Sequence, residues 1–262
     1  MKKAIVFNDA HIESNRFFEM QHDPTAIKLI QKVCKREKPD KIILNGDIAG
    51  CSVYSRHDKY DEGNWTEDKK LIKDFLKPLI RTGAEVIWLE GNHEWWYTKH
   101  LLKNDPNRYL DNLNEGIAHF DRELGLSEMG VKYLGYEGDQ QPTTNLGYLF
   151  IFHGERANKH AGATAKNIMA DVGSSFMIGH VHRMAMVPRT MGFPGKRETH
   201  VGYENGCLCN LDAVFGGRAS AFDWQQGFSE VIYEDKAKGF FSVNQRIITK
   251  GKFIHNGKLY TS

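Results

Sequence analysis

Lys3-Ala4-Ile5-Val6-Phe7-Asn8-Asp9-Ala10-His11 decides the fold. Its first half is apolar and rich in β-branched side chains, as a buried strand is, and it stops on a polar group carrying an acid and an imidazole. The same event recurs along the chain. Lys41 to Leu44 ends at Asn45-Gly46-Asp47, and Glu85 to Leu89 ends at Glu90-Gly91-Asn92-His93-Glu94. Leu146 to Phe152, read as one strand, closes on His153-Gly154, and Ser175 to Ile178 closes on Gly179-His180-Val181-His182. Helical patterns lie between the first three runs. Pro24 behind Asp23 as N-cap opens a helix whose apolar spacing continues to Val33, before Pro39-Asp40 breaks it. Trp65 to Ile80 is amphipathic, with apolar side chains at Leu71, Ile72, Phe75, Leu76, Leu79 and Ile80 and Gly83 as its cap. Strand, helix and strand in alternation predict a mainly parallel α/β sheet, whose ligands gather at the carboxyl ends of the strands.

The pattern weakens further on. Asp105 to Gly125 reads as helix, Val131 to Gly135 as strand, and about Lys159 to Ala170 as a helix of small residues. From about residue 184 the chain is β-rich, and Phe253 to Tyr260 holds the Asn256-Gly257 turn of a tight hairpin. No Pro/Gly/Ser-rich linker interrupts it, so residues 1–262 are expected to form a single domain. Apolar residues make up 40% and charged residues 26%, ordinary globular usage that suggests neither disorder nor a fibrous repeat. Thirty-five lysines and arginines face 33 acids, a surplus of two, which is too small to mark a dedicated nucleic-acid or membrane-surface protein. Any anionic partner must therefore be recognised locally. No run approaches the roughly 18 apolar residues of a membrane span, and a cytoplasmic address is the default expectation. Cys34, Cys51, Cys207 and Cys209 include no Cys-x-x-Cys pair, so reduced thiols are expected and a zinc ribbon is not.

Asp9 and His11 are two residues apart, as are His180 and His182, and in extended backbone each pair projects to one side. Either pair alone is better read as a solvated loop. Their weight comes from five strand ends that all carry aspartate, asparagine or histidine, mostly beside glycine. Carboxylates and imidazoles crowded together repel and lose solvation unless divalent cations sit among them. Mixed nitrogen and oxygen ligands suit manganese, iron, zinc or nickel better than calcium, and the lack of a cysteine set argues against structural zinc.

Asp9-x-His11, Gly46-Asp47, Gly91-Asn92-His93-Glu94, His153-Gly154 and Gly179-His180-x-His182 resemble, in content and order, the calcineurin-like metallophosphoesterases. The resemblance runs from about Ile5 to His182, with no departure at a ligand position. Asn205-Gly206-Cys207-Leu208-Cys209 and Trp224-Gln225-Gln226-Gly227-Phe228 look like the corresponding stretches of phage-borne members. It implies a two-sheet α/β/β/α sandwich and two divalent metal ions, manganese first, with iron, zinc or nickel as the other choices. By the same resemblance Asp9, His11 and His182 would hold one ion, Asn92, His153 and His180 the other, with Asp47 bridging them. The reaction implied is phosphate-ester hydrolysis by a metal-bridging hydroxide, with Asp47 and His93 as the catalytic pair. His93 would serve as proton donor to the leaving oxygen or to transition-state charge.

Substrate contacts are harder to read. Arg56 and His57 lie on the loop after Asp47, and Lys159 and His160 at the start of the helix after His153, where phosphate oxygens could be met; a solvated surface explains them equally well. Trp95, Trp96 and Tyr97 offer a stacking surface for a nucleobase, but such a run at a helix start is more often core. A phosphodiester, whether nucleic acid or nucleotide, is slightly favoured because Asp9-x-His11 resembles the first block of family exonucleases and phosphodiesterases. A phosphomonoesterase acting on protein or small molecules is the alternative. A non-catalytic scaffold that keeps the fold is the third reading, and the intact His93 speaks against it.

Overall fold

The computed structural model describes residues 1–14, 21–55, 63–212 and 223–262. Its first half alternates as expected: β1 (Lys2–Phe7), α1 (Pro24–Glu37), β2 (Lys41–Asn45), α2 (Trp65–Ile80) and β3 (Glu85–Leu89). Asp23 caps α1 by accepting the N–H groups of Thr25 and Ala26, and Lys38 ends it in the left-handed region just before Pro39. Asn64 caps α2 through the Glu67 N–H. The C-cap of α2 is Arg81 and not Gly83, which follows in the loop at φ +81°.

Next come α3 (Asn92–Asn104), α4 (Pro106–Asn114), α5 (His119–Leu124) and β4 (Val131–Leu134). The helical run expected from Asp105 to Gly125 is thus two helices, broken where Gly116 takes φ +66°. Leu146 to Phe152 is not one strand. It is the inner part of a hairpin of β5 (Thr143–Leu146) and β6 (Leu149–Phe152), turned at Gly147-Tyr148 with Gly147 at φ +62°. The small-residue helix, α6 (Ala163–Val172), starts later than expected. Gly162, at φ +78°, separates it from Lys159, and the buried Glu204 carboxylate accepts the N–H groups of Gly162 and Ala165 at its start. The chain continues through β7 (Phe176–Ile178), β8 (Met184–Met191), β9 (Glu198–Asn205), β10 (Gly227–Tyr233) and β11 (Phe241–Ile247). The hairpin β12 (Lys252–His255) and β13 (Lys258–Thr261) turns at Asn256-Gly257 as its sequence predicts.

Apart from that hairpin, the strands form two sheets. The first runs β11-β10-β1-β2-β3-β4, with β1 to β4 parallel and β10 and β11 pairing antiparallel. The second runs β5-β6-β7-β9-β8, with β6, β7 and β9 parallel. The β-rich C-terminal part therefore completes both. Side chains alternate along each strand, so β1 splits between layers. Ile5 and Phe7 pack against α1 and α2, while Ala4 and Val6 join Ile151, Met177 and Tyr203 between the sheets. Ala165 and Met169 of α6 cover the far side of the second sheet with Phe176 and Ile178. The layers are the α/β/β/α sandwich. Because the parallel strands of both sheets point their carboxyl ends to one edge, the polar group after each strand arrives at the same place.

Candidate metal centre

Asp9, His11, Asp47 and His153 are buried, as is His182, while Asn92, His93 and His180 are partly buried. Two clusters form, one on Asp9 and one on Asp47. Asp9 Oδ1 lies 3.0 Å from His182 Nε2 and 3.8 Å from His11 Nε2. Asp47 Oδ2 lies 3.1 Å from His153 Nε2 and 3.8 Å from His93 Nε2. Donor atoms converge closely enough to share an ion in three groups around the two carboxylates, Asp9-His11-His182, His11-Asp47-His93 and Asp47-His153-His180, and a further group, His182-Cys207-Cys209, shares His182. His11 joins the first group to the second, and Asp47 the second to the third.

The pairs do not converge through extended backbone, as their spacing alone suggests. Asp9, His11, Asp47, His180 and His182 all take positive φ, between 49° and 62°. For non-glycine residues this left-handed region costs about 1–2 kcal/mol each, and long-range bonds hold it. Asp9 and His11 donate their N–H groups to the carbonyls of Gly46 and Asp47. His180 donates its N–H to Asp9 Oδ2 at 2.9 Å. Glycine fits where backbone must pass closely. A Cβ at Gly46 would lie 2.4 Å from His153 Nδ1, and one at Gly91 2.3 Å from Asp47 Oδ1.

Charge in the site is divided by these contacts. Burial works against ionisation of Asp9, but His182 and His153 outweigh it and hold the carboxyl below its ordinary value. Asp47 is held well below for the same reason, by His153 and His93. Burial alone would lower His153, yet Asp47 raises it to about 10, and Asp9 raises His182. Burial and neighbouring imidazoles push His11 well down and His180 down to about 4. Anionic carboxylates packed among imidazoles make a donor set for a hard or borderline divalent cation. Asn92 Oδ1 is buried without a hydrogen-bond partner, which fits a ligand aimed at an ion.

Several supporting residues hold the site through contacts that the sequence did not signal. Glu94, fully buried, accepts the N–H groups of Gly91 (2.9 Å), Asp47 (3.0 Å) and Ala49 (2.9 Å), tying the loop after β2 to the start of α3. The His93 N–H, in the first turn of α3, donates to Asp47 Oδ1 at 2.9 Å. Asn8 Nδ2 donates to Asp9 Oδ2 and to the Gly206 carbonyl, linking β1 to the segment after β9. Cys209 Sγ lies 3.8 Å from His182 Nδ1, and Trp224 packs edge-on against that ring. Trp96 stacks on His93 at 4.0 Å, so one residue of the aromatic run lies at the site, while Tyr97 is core and Trp95 stacks on Tyr136. His160 is exposed in the turn before α6, with no contact to the cluster among the described residues. Arg56 and His57 lie outside the described residues.

Residues 2–184 match the family model described as calcineurin-like phosphoesterase. The Gene 54 protein of Mycobacterium phage D29 is 25% identical over 239 residues, covering 87% of this chain and 87% of that protein. The Gene 54 protein of Mycobacterium phage L5 is 24% identical over 267 residues, covering 94% and 98%. The expected likeness to phage-borne members is borne out. Among solved structures, Yfce, a phosphoesterase from E. coli, aligns over 93% of this chain and 97% of its own, at 13% identity and a TM-score of 0.40. A dimetal phosphatase from Danio rerio aligns over 92% and 98%, at 8% identity and a TM-score of 0.42.

Proposed function

We propose a binuclear phosphodiesterase site for this chain, which belongs to the calcineurin-like phosphoesterase family. Membership makes it a metal-dependent hydrolase of phosphate esters. The finer reading assigns Asp9, His11 and His182 to one divalent cation, Asn92, His153 and His180 to a second, and Asp47 to both. One observation carries it: Asp47 belongs to two convergent donor groups, and His11 links them to the group of Asp9 and His182. Two divalent cations there would activate a water and neutralise the phosphate. Manganese is the preferred pair, with iron, zinc or nickel as alternatives, and residues 1–262 act as one domain.

The protein's own side chains do the rest. Asp47 is held ionised by the α3 N-terminus and its imidazole neighbours, so it would offer a carboxylate charge to divalent cations bound there. His93 is oriented by its Nδ1 contact with the Gly50 carbonyl at 2.6 Å and by Trp96 stacked on its ring. With Nδ1 donating to that carbonyl, Nε2 faces Asp47, and in the doubly protonated ring its N–H can pass a proton to the leaving oxygen or stabilise charge on the phosphoryl group. A phosphodiester is the favoured substrate class, and a monoester the second.

The test is turnover of bis-p-nitrophenyl phosphate beside p-nitrophenyl phosphate by purified protein reloaded with manganese, nickel, iron or zinc. A higher kcat/KM on the diester supports the reading, and the reverse ratio makes the protein a monoesterase. Failure to turn over either ester with any of these metals removes the catalytic reading and favours a scaffold.

A further inference from the structure

We infer that the outer face of α1 and α2 is a docking surface for the phosphodiester backbone of duplex nucleic acid. The choice of nucleic acid rests on the phosphodiesterase reading; the cation array does not. Residues 24–38 and 65–81 together carry ten lysines and arginines against four acids, a surplus of six in a chain whose total surplus is two. The remainder is therefore net acidic, and positive charge is concentrated on these two helices.

Helical spacing orders it into stripes. Lys28, Lys32 and Lys35 recur at four and three residues on α1, and Lys70, Lys73, Lys77 and Arg81 at three, four and four on α2, so each set lies along one face. All are exposed except Lys73, which is half-buried. The two helices follow adjacent parallel strands, pack on the same core and touch through Gln31 Nε2 donating to the Phe75 carbonyl at 3.1 Å. That packing brings the stripes together.

Between them runs a groove of about 340 Å³ lined by Gln31, Lys32, Lys35, Pro78, Arg81 and Thr82, with three cations and no acid. A second hollow of about 300 Å³ is lined by Lys69, Lys70, Lys73 and Lys77, with Asp74 and Glu123. Those two acids are engaged, by Lys77 and Lys69 respectively. Lys35, Lys70, Lys73 and Arg81 form no ion pair among the described residues. At about 1.5 Å per residue, helices of 14 and 16 residues present an array about 20–25 Å long, enough to follow several phosphates of one groove edge. Both helices begin at the edge where the metal cluster lies, so bound duplex would run from the side of the molecule toward the site.

The experiment measures fluorescence anisotropy of a labelled, hydrolysis-resistant phosphorothioate duplex of about 20 base pairs with the full metal-loaded chain across a salt series. Wild type and K70E/K73E/R81E are compared, with K70Q/K73Q/R81Q as the milder variant. Loss of three phosphate contacts should weaken binding at least about tenfold at low salt and make the salt dependence shallower by about 2–3 in log K per log salt. Hydrolysis of bis-p-nitrophenyl phosphate should not change. Equal affinity and salt slope in folded variants would overturn the surface, as would wild-type binding to anionic vesicles but not to the duplex. Duplex binding without diester turnover would leave the surface standing and remove the phosphodiesterase reading. Turnover without duplex binding would do the opposite.

Discussion

Replacing Gly46 by alanine should damage the metal centre out of proportion to its effect on the fold. Gly46 sits at φ +81°, a conformation that costs an L-residue about 1–2 kcal/mol. A Cβ there would lie 2.4 Å from His153 Nδ1 and 2.5 Å from its Cγ, so the imidazole must retreat by about 1 Å to reach ordinary contact. That retreat breaks the 2.8 Å contact between His153 Nδ1 and the Asn45 carbonyl, worth about 1 kcal/mol. The expected loss of stability is thus about 2–3 kcal/mol. A shift of about 1 Å in a ligand should cost roughly 100-fold or more in kcat/KM. Gly83 is the internal control. It has the same φ of +81° but nothing within 4 Å of where a Cβ would stand, so Gly83→Ala carries the backbone cost alone. The assays are guanidinium unfolding, manganese binding by calorimetry and turnover of bis-p-nitrophenyl phosphate. If the two variants lose the same stability and Gly46→Ala keeps wild-type metal affinity and turnover, close approach to His153 is refuted as the reason for glycine at position 46.

His93→Ala should keep its metal content while kcat falls by about 10²–10⁴; unchanged turnover would take His93 out of the mechanism. Asp47→Asn removes the charge shared by two donor groups, and metal content measured by mass spectrometry should fall along with affinity, by at least about tenfold. Retention of both ions would refute the bridging role. Glu123 accepts bonds from Tyr97 (2.7 Å), Lys69 (2.9 Å), Trp65 (2.9 Å) and Arg108. Burial alone would raise its carboxyl, but these donors outweigh it and hold it at about 2, against 4.5 ordinarily. A depressed folded pKa stabilises above the unfolded value, so this contribution is complete above about pH 4.5 and is lost as pH falls toward 2. The ceiling is about 3 kcal/mol, and solvent screening leaves about 1–2. Glu123→Gln should therefore be less stable than wild type by that amount at pH 7, with the gap closing in acid. A gap that stays constant from pH 7 to about 2 would contradict the linkage.

The strand ends are legible in the sequence because burial on both faces demands an unbroken apolar run, and a run that halts on Asp9, Asp47 or His153 is visible without knowing what lies beside it. Local chemistry likewise fixes the first two helices, where Asp23-Pro24 and the apolar spacing of Trp65 to Ile80 leave little choice. Weaker local signals mislead. Leu146 to Phe152 has strand composition throughout, and only the Gly147 turn reveals a hairpin. The start of α6 depends on Glu204, about forty residues away, whose carboxylate takes the first N–H groups of the helix.

Local sequence marks which acids, amides and imidazoles follow the strands. How they meet depends on contacts between segments distant in the chain. The left-handed backbone at Asp9, His11, Asp47, His180 and His182 exists because bonds from distant segments hold it, such as Asp9 N–H to the Gly46 carbonyl and His180 N–H to Asp9. Composition counted a surplus of two charges for the chain, whereas sheet order set α1 beside α2 and gathered a surplus of six on one pair of helices. Periodicity along a chain records which side of a segment is buried; which segments become neighbours is settled by packing across the sheets.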